Sequence, residues 1–299
     1  MRRKLFLIGG ACLSLAAAVL LILLFLIGIS PETGLVTNAA LLISADSAVA
    51  LLTVFWIVAS FFVRDLPKAE KKAPQTGEKS KTSGQPRPVD RVVLDKLPKH
   101  APAFYVTAVF IWMAAALFFI LYTVSDFSVF HLAIAVMSVL SVAAFVRAAI
   151  IHIAEKTVTS DAFLLPMPIA FSALFAIFVY QTVARMPQVA VYYSEILALI
   201  GLLLGIYLFL SHFFGEPVRR LHVFSALFMT SFAGIMYLVK MAVLFGRFFA
   251  SEMTNAGDYY ADVGILMVYA GSAILGAVYV MLILSAKPDA SGAETDADS

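Results

Sequence analysis

Eight apolar stretches, each long enough to cross a bilayer, take up most of this 299-residue chain. A hydrocarbon core about 30 Å thick is crossed by about 20 helical residues. The stretches at 5–29, 40–63, 103–124, 129–152, 163–184, 192–214, 222–247 and 262–285 each meet that length. Lipid offers no partner to backbone N–H and C=O groups, so such a segment must satisfy them internally, as a helix does. The expected fold class is all-α, a polytopic helical membrane protein built as a bundle of eight transmembrane helices.

The basic residues orient that bundle. Lys and Arg collect on the cytoplasmic side of membrane proteins. With the N-terminus inside and eight alternating spans, 18 of the 21 Lys and Arg fall on the cytoplasmic side. They are Arg2, Arg3 and Lys4, ten between Arg64 and Lys99, and Arg147, Lys156, Arg219, Arg220 and Lys287. Arg185, Lys240 and Arg247 fall toward the outside. Both termini are therefore expected in the cytoplasm, and the plasma (inner) membrane of a bacterium is the expected location. Met1 to Lys4 would suit a secretion signal, but the apolar run that follows exceeds the 7–15 residues of such a signal. It is read as a retained first span.

Only 13% of the residues are charged, about half the share of a soluble domain. What lies between the spans leaves no room for a separate soluble catalytic unit. The chain divides into a two-span hairpin (1–63), a basic flexible cytoplasmic linker (64–102), a six-span bundle (103–286) and an acidic disordered tail (287–299). The linker reads as solvated chain; its basic residues could also hold anionic lipid headgroups, although five acidic residues dilute the charge. Nothing in this pattern suits nucleic acid. Cys12 stands alone, which excludes an internal disulfide and a cysteine-based metal cage.

Turn residues punctuate the spans. The connection at Ser125 to Ser128 is short enough to force a tight antiparallel hairpin, and Ser128 or Asp126 is placed to cap the helix that follows. Pro166 and Pro168 suit the first turn of the fifth helix, where a missing N–H costs little. Small residues four apart mark helix contacts: Gly201 with Gly205, Ser272 with Gly276, and Gly10 with Ser14 and Ala18. These faces suit packing within the molecule, with contact to a second membrane subunit as the alternative.

Ionisable side chains inside a membrane cost about 2.5–3.5 kcal/mol each at a helix centre on insertion scales, and they tend to be functional. Counted at about 1.5 Å per residue from the cytoplasmic anchors, Asp46, His131, Glu195 and Lys240 all reach nearly one level at the outer rim. Each could simply mark the end of its span and reach into the headgroups. Alternatively Asp46, Glu195 and Lys240 turn inward as a polar vestibule with Tyr237, which shares a face with Lys240, Ala226, Thr230 and Ala233. His131, Arg247, Asp258 and Asp262 would extend the rim. Asp258 and Asp262 could share a divalent cation, but two carboxylates at a helix start more simply answer its dipole, and no metal or cofactor is assigned. His212 and His222 flank a cytoplasmic turn and read as solvated interfacial residues.

No H-E-x-x-H, G-x-S-x-G or phosphate-binding Gly-rich turn occurs, so the balance leans away from an enzyme. Three functions stay open. A small transporter or solute-binding membrane subunit would use the vestibule. An accessory or scaffold subunit of a larger membrane complex would leave those groups facing headgroups. A lipid-modifying enzyme would need Asp258 and Asp262 converged on a cation beside Arg247.

Overall fold

A computed structural model describes residues 2–29, 36–62, 100–153, 163–183, 193–211, 220–249 and 255–285, with Pro98 and Phe213 besides. Nearly all of the linker, the acidic tail, Arg185, Arg219 and His212 lie outside the described residues. So do the side chains of Arg2, Arg3, Lys4 and Arg247. Among the described residues there are eight α-helices: α1 (Arg2–Ile27), α2 (Ala39–Phe62), α3 (Ala101–Ser125), α4 (Val129–Ile153), α5 (Met167–Val183), α6 (Tyr193–Ser211), α7 (Arg220–Phe249) and α8 (Ala256–Ser285).

Seven of the eight are long and apolar enough to cross a membrane. The exception is α5, expected as a span over 163–184 but helical only for the 17 residues of Met167–Val183. Its length is about 26 Å at 1.5 Å per residue, short of the hydrocarbon core. The prolines explain the truncation. Pro166 and Pro168 lack N–H donors and crowd the preceding turn, so the helix begins between them, with the Pro166 carbonyl accepting from Ile169 and Ala170 at 3.1 and 3.2 Å.

Six helices close into a ring. Around it α3 packs on α4, α4 on α5, α5 on α6, α6 on α7 and α7 on α8, and the most extensive contact, α3 with α8, closes the circle. The α1–α2 hairpin leans on the outside of α7. Large apolar side chains are exposed on the outer faces, among them Leu15, Val54, Phe110, Val136 and Ile200, as a bilayer solvent requires.

Helix contacts in lipid depend on close packing because lipid tails are as apolar as the side chains they replace. A Cβ at Gly205 would lie 2.5 Å from Met229 Sδ, and one at Gly201 would lie 2.7 Å from Phe228, both on α7. At Gly276 of α8 it would stand 3.0 Å from the backbone nitrogen of Thr230, so two backbones approach there. Gly271 gives the same room to the Trp112 indole. Ser272 is buried beside these contacts. In the peripheral hairpin, Gly10 of α1 seats the Trp56 ring of α2.

Aromatic rings fill the middle of the ring. Trp112 lies 5.0 Å from Phe145 and 5.3 Å from Phe171; Phe171 stacks on Phe175, and Phe175 meets Tyr269 edge-on at 5.8 Å. Farther along, Phe119 and Phe178 carry the contact out to Tyr122 and His131. At the other end Phe209 bridges Tyr105 and Tyr279. Ring edges meeting ring faces suit the aromatic quadrupole, and they leave a packed interior.

Candidate functional site

A nearly buried carboxylate on α6 is joined to a half-buried ammonium on α7. Glu195 stands in the first turn of α6, where free N–H groups favour a carboxylate. Its side chain is 4% exposed, and Lys240 Nζ of α7 lies 2.8 Å from Oε1, with the Lys240 side chain 26% exposed. The contact is Coulombic rather than an aligned hydrogen bond, since Oε1 accepts none. The helix places Lys240 well short of its own end: α7 continues nine residues to Phe249, about 14 Å. Lys240 therefore stands away from the end of its helix and is paired with an acid.

A third group joins them. Tyr269, fully buried on α8, directs its hydroxyl at the Glu195 carboxylate without closing a hydrogen bond by distance and angle. A buried hydroxyl left without a partner is uncommon. The hydroxyl of the neighbouring buried Ser194 is likewise unpartnered. Tyr269 escapes a reading of the chain because a mid-span tyrosine among Val268, Ala270 and Gly271 looks like apolar filling. The signal for it is position: it lies one turn before Ser272 and two before Gly276, small residues on a buried helix face.

The other candidates disperse. Asp46 is half-buried on α2, and no hydrogen bond or ion pair among the described residues joins it to Glu195 or Lys240. Tyr237 is partly buried against the core and makes no bond to the pair. Ala226 and Ala233, on its face, are buried. Arg247 lies in α7, with its side chain outside the described residues. Asp258 is exposed and Asp262 half-buried in the first turns of α8, and the described residues hold no group of three metal-ligating side chains.

His131 belongs to the α3–α4 turn. Its Nδ1 lies 2.7 Å from the Asp126 carbonyl and 3.7 Å from the Asp126 carboxylate, and Tyr122 Oη lies 3.3 Å from Nε2. Its backbone N–H donates to Ser128 Oγ at 3.0 Å, so Ser128 caps α4, while Thr123 Oγ1 donates to the His131 carbonyl at 3.0 Å. These bonds lock a tight hairpin. His222, expected in solvent, is instead buried, with Ser211 Oγ 3.5 Å from its Nε2. The close α6–α7 packing over Gly201 and Gly205 draws the first turn of α7 inside.

An open apolar groove of about 490 Å³ lies between α3 and α4, lined by residues such as Ile120, Val124, Phe127, Leu132 and Val136. It takes nothing from the helices that carry the pair. No protein family, no curated protein and no solved structure matches this chain.

Proposed function

We propose that this chain is a small transporter or solute-binding subunit of the membrane, with Glu195, Lys240 and Tyr269 as its polar site. The single observation behind the reading is the Glu195–Lys240 contact at 2.8 Å with the acid 4% exposed. Holding two charges and a bare hydroxyl inside a membrane bundle is costly, and retaining them suits a solute that exchanges with one of them. In this reading the chain crosses the plasma (inner) membrane of a bacterium eight times, with α5 crossing at a thinned or protein-lined place. Both termini are cytoplasmic, and α1–α2 forms an outer hairpin on a six-helix unit. The packed aromatic interior supports binding more than free passage.

A scaffold role is the competing reading, favoured by how closed the pair is. Asp258 and Asp262, without a third ligand among the described residues, give the lipid-modifying reading no support. The test is a thermal-shift screen of purified protein in nanodiscs against small organic acids, amines, amino acids and sugars. A ligand that binds the folded state raises the unfolding temperature. One solute class stabilising the wild type but not the Glu195→Gln/Lys240→Gln double variant supports the reading. No shift from any class, together with subunits that co-purify through the bundle, assigns the scaffold role instead.

A further inference from the structure

The accessible member of the pair is the cation. Lys240 keeps 26% of its side chain exposed where Glu195 keeps 4%, so an entering solute meets the ammonium first. We propose that the site binds a small organic anion at Lys240 together with one proton at Glu195. This rests on the solute-binding reading above and names its substrate class and its coupling.

The argument is one of charge. Lys240 is a point charge on a flexible four-carbon stem, held here by an unaligned contact, so an anion can draw it from Glu195. Its departure would strand a buried carboxylate without compensation, which the protein interior disfavours strongly. One proton from water, forming an O–H bond on Glu195, removes that burden. Before binding, ammonium and carboxylate sum to zero; afterwards ammonium and solute anion sum to zero, and the acid is neutral. The site thus exchanges an internal counter-ion for an external one without changing its charge.

Tyr269 fits the second state. In the paired state its buried hydroxyl has no hydrogen-bond partner. An ionised Glu195 can only accept from that hydroxyl, whereas a protonated Glu195 can also donate to it. Arg247 of α7 has its side chain outside the described residues, and among the described side chains the remaining titratable groups on helices packed against α6 are few at this end. They are Tyr237 on α7, exposed Tyr180 on α5, half-buried Asp46 on α2, and Asp258, Tyr259, Tyr260 and Asp262 in the outer turns of α8. The ion pair described for Glu195 is with Lys240.

The experiment is calorimetric titration of the full chain in nanodiscs with sodium benzoate, with ethylammonium chloride and glucose as controls, in two buffers of different ionisation heat. Benzoate should bind with uptake of one proton, its affinity rising as pH falls, by up to about tenfold per unit. Lys240→Gln should lower affinity more than tenfold and Lys240→Arg should retain it. Glu195→Gln should still bind benzoate, with neither pH slope nor proton uptake. If Lys240→Gln fails to fold, the Glu195→Gln/Lys240→Gln double variant serves for the loss of binding. Benzoate binding without proton uptake, or a pH slope that survives Glu195→Gln, overturns the proposal. Binding of ethylammonium or glucose in place of benzoate overturns it while leaving the solute-binding reading standing, and no binding by any of the three, with a silent thermal screen, removes both.

Discussion

Lys240 sits nine residues before the end of α7, yet its ammonium rests 2.8 Å from Glu195, only three residues into α6. The two helices are neighbours of unequal length, 30 residues against 19, so the shorter one begins deep beside the longer. Among the described residues, this offset sets the carboxylate at a helix N-terminus, against one lysine and beside one buried tyrosine.

Removing one partner of that pair should be far worse than removing both. Lys240→Met alone is expected to lower stability by about 3–5 kcal/mol, because it leaves an unpaired buried charge. Adding Glu195→Gln should recover most of the loss. Thermal unfolding in detergent, followed by circular dichroism, measures both. A double variant as unstable as the single one would mean that the contact contributes nothing through charge.

The glycine contacts predict a graded series. Gly205→Leu and Gly276→Val push side chains into Met229 and into the Thr230 backbone, and each should cost about 1–3 kcal/mol or more by overpacking. Gly234→Ala meets nothing closer than the Ala273 Cβ at 3.9 Å. There the gain in helix propensity, about 1 kcal/mol, should leave the protein unchanged or slightly more stable. Equal effects at the three positions would contradict the close approach of α6 and α8 to α7.

Ser128→Ala removes the oxygen that accepts from the His131 N–H and should cost about 0.5–2 kcal/mol. Ser128→Asp should restore the cap. Hydrogen exchange at the first turn of α4 reports it, with faster exchange expected in the alanine variant alone.

Sidedness is checked with single cysteines in a Cys12→Ser background. An impermeant maleimide applied to intact cells should label Thr254→Cys. Ser80→Cys and Ser291→Cys should react only after the membrane is opened. Labelling of position 80 and position 291 from opposite sides would break the even number of crossings.

Hydropathy made the helices legible because lipid rewards an unbroken apolar run and nothing else. The length of α5 was less legible: Phe163 to Leu165 are as apolar as a span, and only the paired prolines stop the helix at Met167. The pair itself was half visible. Depth counting put Asp46, His131, Glu195 and Lys240 at one level, but which of them meet depends on the order of helices round the ring. That order is set by glycine contacts and aromatic packing between segments far apart in the chain. So Lys240 meets Glu195, its neighbour across α6–α7, while His131 serves its own hairpin. Tyr269 passes unnoticed and His222 is misplaced for a common reason, since a lone polar group beside apolar residues carries no sign of which face it occupies.

The rings between Trp112 and Tyr269 have a mechanical consequence. They bolt α3, α5 and α8 together, so none of these three rods parts from the others without breaking ring contacts.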